Sequence, residues 1–424
     1  MESIVHKNLM EQLFLTNTLS RKKELFKSRE PGKVKIFTCG PSVYSRSHLG
    51  NYRTFLFEDV LQRYLEHIGY RVERLINLTD VEDKGIEEAQ AKGVTLRELT
   101  APVEEMFFRE VRLLGITLPD YIPRSSTSVD QAVRVIKILT EKGYAYFHDK
   151  NVYYDPLKFD GFGKLYGLDM SKWPRQKRRF SRDTYPGQRW NLGDFILWHG
   201  GRGDHIYWNT ELGIGRPSWN IQDAAIITKH LGNRIDIACG GMDNLYRHHD
   251  YTLAIMESFS GETFCSYWLH GALVRVNGRK MSKSRGNVVY VDELIEQGHK
   301  PHAIRFAMIY GQYRSELNLV PDYLARSAQR LDTFNSMARE LSKPESGYEG
   351  AVSPPETEIA EIGRLFRERM NDDLDVQGGF DLLFEKLSGW TALKAQGRFH
   401  PQSAGRLKQE LKEIDSVLRI MEPL

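Results

Sequence analysis

The chain has 424 residues, is 41% hydrophobic and 27% charged, and carries a formal net charge of +3. That is enough for two or three packed domains of ordinary globular composition, with no excess charge to demand or exclude nucleic acid. No apolar run reaches membrane-spanning length, the first residues lack a secretory apolar core, and Cys39, Cys239 and Cys265 are too few and scattered for a disulfide framework. A cytoplasmic, reducing setting is therefore expected.

In chain order, Val34 to Cys39 reads as a buried strand ended by Gly40-Pro41. Phe57, Val60, Leu61, Tyr64, Leu65 and Ile68 then recur at helical spacing, and a second strand runs from about Arg71 to Leu78. This βαβ unit predicts a parallel sheet with right-handed crossovers. From about 120 to 220 the chain is rich in aromatics, Gly and Pro, without sustained alternation, and reads as an inserted subdomain. Its basic run Arg175 to Arg179 reads better as a solvated loop than as an RNA contact. Arg234 to Cys239, followed by Gly240-Gly241, resumes the buried-strand pattern. Beyond 320 the chain turns helical: Leu324, Ala328, Leu331, Phe334, Ala338 and Leu341 form one stripe. Lys343 to Pro355 is a linker by composition. Two amphipathic helices follow, one around Leu382–Leu387 and one around Leu407–Leu418.

Two short motifs carry chemistry. Cys39-Gly-Pro-Ser-Val-Tyr44 leads into Ser47-His48-Leu49-Gly50-Asn51 at a helix start. Such a start offers unpaired N–H groups and a positive dipole end to phosphate. His48 can donate to phosphate oxygens, and Gly50 lets a nucleotide approach the backbone. Far downstream, Lys280-Met281-Ser282-Lys283-Ser284 places two ammonium groups and two hydroxyls in a Gly/Asn-rich loop. That loop suits a triphosphate and its leaving pyrophosphate. Either motif alone also fits a solvated surface loop; together they argue for nucleotide chemistry.

These motifs resemble the HIGH and KMSKS signatures of class I aminoacyl-tRNA synthetases. CGPSVYSRSHLGN, INLTDVEDK, GDFILWH, GRPSWNIQD, GGMDNLYRHHDY, KMSKSRGN and YRSELNL are similar to the cysteinyl-tRNA synthetase family specifically, from about Leu13 to Glu422. The resemblance implies an α/β fold with a Rossmann-like core and active site at the carboxyl ends of its strands. Residues 1–118 and 226–318 would form the core, 119–225 an inserted connective subdomain, and 319–424 a C-terminal helical bundle. It also implies formation of an aminoacyl-adenylate from an amino acid and ATP with Mg²⁺. His48, Lys280 and Lys283 would be catalytic, with Gly40, Ser47, Gly50, Asn51, Ser282 and Ser284 joining them around ATP. Trp219 and Asp243 would hold the substrate ammonium and ATP region.

The departures from the family pattern are informative. The family, like the similar mycothiol ligase, binds the substrate thiolate through zinc held by two Cys, one His and one Glu. The matching positions are Cys39, Asp223, His248 and Thr252. A threonine hydroxyl is a poor zinc ligand. Cys39, Asp223 and His248 are left either as a depleted zinc site or as a metal-free polar pocket, and the latter is preferred because lost ligands cost affinity steeply. The chain also stops after the helical region, where tRNA synthetases of this family continue into an anticodon-reading domain. The expectation is therefore a monomeric, adenylate-forming amide ligase acting on a small-molecule or carrier acceptor. Its alternatives are a cysteine–tRNA ligase, with tRNA as partner, and a catalytically silent regulator.

Overall fold

The computed structural model describes residues 12–180, 182, 192–201, 206–343, 356–399 and 401–423. Its centre is built from the segments the sequence marks as buried strands. Strand β1 (Lys33–Thr38) buries Val34, Ile36 and Phe37 completely, then leads through a loop into helix α1 (Leu49–His67) and strand β2 (Arg71–Ile76).

An insertion follows, with strands β3 (Ala145–His148), β4 (Asn151–Tyr154), β5 (Phe195–Gly200), β6 (Trp208–Thr210) and β7 (Gly213–Pro217). They form a five-stranded sheet in the order β3-β4-β5-β7-β6, every pairing antiparallel. Sequence alternation misses this sheet for a physical reason. Its strands are short, and β5 buries Phe195, Ile196, Leu197 and Trp198 in succession, so no two-residue period survives. The basic run serves the local fold: Lys177 Nζ lies 3.1 Å from Asp155 Oδ2, and Arg179 Nε donates to the Tyr146 hydroxyl at 3.1 Å.

Helix α2 (Trp219–His230) returns the chain to the core, followed by β8 (Ile235–Gly241), helix α3 (Asp250–Ser260) and β9 (Cys265–Gly271). The central sheet has the order β9-β8-β1-β2, all parallel. From β1 the chain proceeds outward through α1 to β2; from β8 it proceeds the other way through α3 to β9. The crevice between the carboxyl ends of β1 and β8 is thus the topological switch point, where α/β sheets bind ligands. Cys39 N donates to Cys239 O at 3.1 Å across that crevice.

The C-terminal part is helical: α4 (Tyr323–Leu341), α5 (Glu356–Met370), α6 (Val376–Ala395) and α7 (Pro401–Leu418). After the linker the described residues form three helices, not the two read from the sequence. Ile359, Ile362, Phe366 and Met370 of α5 are fully buried, but charged residues interleave them and dilute the stripe. Residues 344–355 of the linker lie outside the described residues. The bundle is fastened to the core through Arg305, whose Nε donates to Leu418 O (2.6 Å) while Nη2 meets Asp59 Oδ2 of α1 (2.6 Å).

Candidate nucleotide and amino-acid site

His48 sits at the N-cap of α1 in extended conformation. Its backbone N donates to Asn51 Oδ1 (2.9 Å), and Asn51 N donates to His48 Nδ1 (3.3 Å), a reciprocal capping box. Because Nδ1 accepts, the proton of the neutral ring lies on Nε2, where it can be donated to phosphate. Burial first, then the Lys283 ammonium, hold the His48 pKa below the usual histidine value, with Asp243 opposing. Gly50 clears this ring: a Cβ there would meet His48 Cε1 and Nδ1 at 3.0 Å. Ser47 is buried just ahead of the cap.

Lys280 lies exposed on a short strand, Arg279–Lys280, antiparallel to Val274–Val276. Lys283 Nζ donates to Ser45 Oγ at 2.6 Å, so the loop already lies beside the approach to α1. Burial lowers the Lys283 pKa. Asn287, to which the sequence reading gave no role, shapes this loop. Its Oδ1 accepts from Ser282 N (3.0 Å) and its Nδ2 donates to Lys280 O (3.1 Å). The side chain of Ser284 lies outside the described residues.

The second cluster lies at the switch point. Ser218 caps α2 by accepting from Asn220 N (3.2 Å), which places Trp219 and Asp223 one turn apart on the same helix face. Trp219 packs its ring on His248, centroids 4.7 Å apart. His248 Nε2 stands 2.8 Å from Asp223 Oδ2 and 3.3 Å from Cys39 Sγ. Asn77, just beyond β2 and also without a role in the sequence reading, donates from Nδ2 to Asp223 Oδ1 (2.9 Å) and accepts from Gly40 N (2.7 Å). A Cβ on Gly40 would fall 1.7 Å from Asn77 O, so only glycine permits this approach. His248 lies in a π-helical turn, Leu245–His249, that contains Arg247 at φ +68°, an uncommon backbone state that tends to mark functional segments. Asp243, exposed in the short helix after β8, raises the pKa of both Cys39 and His48, so its charge acts on both clusters.

The four family zinc positions do not fit zinc as arranged. Tetrahedral zinc with bonds of 2.0–2.3 Å keeps its ligand atoms about 3.3–3.8 Å apart. The 2.8 Å separation of His248 Nε2 and Asp223 Oδ2 is a hydrogen-bond distance instead. Thr252 is fully buried and turns its hydroxyl back to donate to His248 O at 3.1 Å. Cys39, His248 and His249 do bring ligand-type atoms within 4.8 Å of one another. Burial first, and then the carboxylates of Asp223, Glu58 and Asp243, push the Cys39 thiol up.

The family profile "tRNA synthetases class I (C) catalytic domain" matches residues 25–329. The chain belongs to the cysteinyl-tRNA synthetase family of class I. A cysteine–tRNA ligase of Chlamydia pneumoniae is 34% identical over 416 residues, covering 97% of this chain and 87% of the relative. One of Latilactobacillus sakei is 37% identical over 379 residues, covering 88% and 80%. Among solved structures, methionyl-tRNA synthetase of Mycobacterium tuberculosis with methionyl-adenylate superposes with a TM-score of 0.65 at 14% identity, covering 92% of this chain and 90% of that one. That likeness concerns the fold. Members of the family are ligases that form aminoacyl-adenylates and use ATP with Mg²⁺. Among the described residues no helix is long and apolar enough to cross a membrane.

Proposed function

We propose that the chain activates an amino acid as its adenylate and passes the acyl group to a small amine or a carrier-bound acceptor. One observation carries the first half. His48, with Nδ1 occupied by its own cap, and Lys283, docked on Ser45, are electrostatically coupled at one end of the sheet, and Asp243 links them to the Cys39–His248 cluster.

In the reaction this supports, an oxygen of the already ionised amino-acid carboxylate attacks the α-phosphorus of ATP in line. A new P–O bond forms as the bond to pyrophosphate breaks, and no general base is needed. His48 Nε2–H donates to a phosphate oxygen, while Lys280 and Lys283 gather the charge on the departing pyrophosphate. Asp243 takes the substrate ammonium. Magnesium carried by ATP supplies further charge neutralisation.

The acceptor reading rests on the altered pocket. A site without the zinc-type ligand set is poorly suited to faithful cysteine charging, so a changed product is the simpler expectation. Charging of tRNA is the second reading, favoured by the names of the relatives. The test is amino-acid-dependent ATP–pyrophosphate exchange, followed by transfer of labelled amino acid to total tRNA and to candidate amines. Exchange with transfer to an amine is expected. Isoacceptor-selective charging by the purified chain alone would replace the first acceptor by the second, and absence of exchange with every amino acid would end the adenylation reading.

A further inference from the structure

We propose that the Asp223–His248 pair reads the amino-acid side chain in place of a metal, with Asn77 as its positioning residue, so that the pocket accepts a short hydroxyl side chain about as readily as a thiol. This rests on the adenylation reading above.

Two hydrogen bonds and two close contacts link the residues around the pocket. Gly40 N donates to Asn77 Oδ1 (2.7 Å), Asn77 Nδ2 donates to Asp223 Oδ1 (2.9 Å), and Asp223 Oδ2 stands 2.8 Å from His248 Nε2 without hydrogen-bond geometry. Nε2 in turn lies 3.3 Å from Cys39 Sγ, and Cys39 precedes Gly40 in the chain. Asn77 cannot flip its amide without losing the bonds at both ends, so it fixes Asp223 beside the His248 ring. Two buried atoms of the pair have no hydrogen-bond partner, Asp223 Oδ2 and His248 Nδ1. A carboxylate oxygen is an acceptor, and a buried acceptor left unmade is costly. A ligand O–H or S–H relieves it.

The surroundings narrow the ligand. Carboxylates at Asp223 and Asp243 oppose an anionic side chain. Trp219, Cys39 and Thr252 are all under 9% exposed, so a long side chain would have to displace buried groups. An alanine-sized side chain fits but leaves Asp223 Oδ2 orphaned, and a site built to hydrogen-bond rejects an analogue that lacks the group. Thiol selectivity is a different matter. A metal distinguishes thiol from hydroxyl because only the thiol ionises readily, whereas a hydrogen-bond acceptor accepts from either.

The test is pyrophosphate exchange with all twenty amino acids, in excess Mg²⁺, with and without a zinc-selective chelator. Serine and cysteine should agree in kcat/KM within about tenfold, and alanine should fall at least about tenfold below serine. The chelator should change neither. Asn77→Ala should raise the KM for serine about tenfold while the KM for ATP stays within about twofold, a split that general loss of structure would not give. Should that variant fail to fold, Asn77→Asp keeps the Gly40 bond, sets a second carboxylate against Asp223, and carries the same expectation. Preference for cysteine over serine beyond about a hundredfold, loss of exchange with chelator, or equal use of alanine would overturn the metal-free reader and leave adenylation standing. An unchanged serine KM in a folded Asn77 variant would remove its positioning role. Exchange with no amino acid would remove the adenylation reading and this inference with it.

Discussion

His48 and Asn51 hold each other through two hydrogen bonds, His48 N to Asn51 Oδ1 at 2.9 Å and Asn51 N to His48 Nδ1 at 3.3 Å. The same contact starts α1 and sets the tautomer of the proposed phosphate donor. Asn51→Ala should cost about 1 kcal/mol of stability, as for loss of a helix cap, with a fall in exchange rate, and His48→Ala should cost about 10²-fold in rate. Because His48 titrates below its ordinary value, the neutral, cap-competent ring is the form the fold favours. Its stabilising contribution is complete above the unfolded pKa of about 6.5 and is lost as pH falls from there toward the depressed folded value. The stability advantage of the wild type over His48→Asn should therefore shrink between pH 7 and pH 5, measured by urea unfolding. An advantage that grows over that interval would contradict the assigned tautomer.

Lys283 and Asn287 act on the same loop in different ways. Lys283→Ala removes a charge that meets the leaving pyrophosphate, and exchange should slow by roughly 10²-fold or more. Asn287→Ala removes the two bonds that shape the loop, to Ser282 N and Lys280 O, and should act mainly through a higher KM for ATP. Wild-type kinetics in Lys283→Ala would take this loop out of the mechanism.

The pairing of His248 with Asp223 bears on metal content. Protein purified without added metal should hold well under one zinc per chain by elemental analysis. One firmly held zinc per chain, lost in Cys39→Ser, would show that a three-ligand site persists despite Thr252.

Arg305 and Asp59 form a buried pair, 1% and 0% exposed. Burial alone would raise the Asp59 pKa, but Arg305, Arg63 and Arg74 together bring it below the usual aspartate value. Its contribution is therefore present above the unfolded pKa of about 3.9 and lost as pH falls through the lower folded value. Arg305→Ala strands the Asp59 carboxylate and should destabilise the chain by about 3–5 kcal/mol at neutral pH. Thermal or denaturant unfolding of the variant gives the answer, and a loss under about 1 kcal/mol would mean that water replaces the guanidinium.

What the sequence determined by itself is what depends on local pattern. Short apolar-rich runs at Val34–Cys39 and Arg234–Cys239, each followed by glycine, are enough for buried parallel strands, because such strands need no partner-specific residue on either face. Ser47–Asn51 and Lys280–Ser284 likewise carry their chemistry within a few residues. The short antiparallel strands between Ala145 and Pro217 and the helix Glu356–Met370 were not legible, since the first are too short for a period and the second is interrupted by charge. The sequence also left open whether Cys39, Asp223 and His248 are ligands or a hydrogen-bonded cluster. Only the tertiary structure decided their arrangement, by carrying Asn77 from the end of β2 to within 2.9 Å of Asp223, across 146 residues of chain. Spacing along a chain says which groups are present; whether two of them share a proton or leave room for an ion depends on a few tenths of an ångström, and that is set by how β1, β2 and α2 pack.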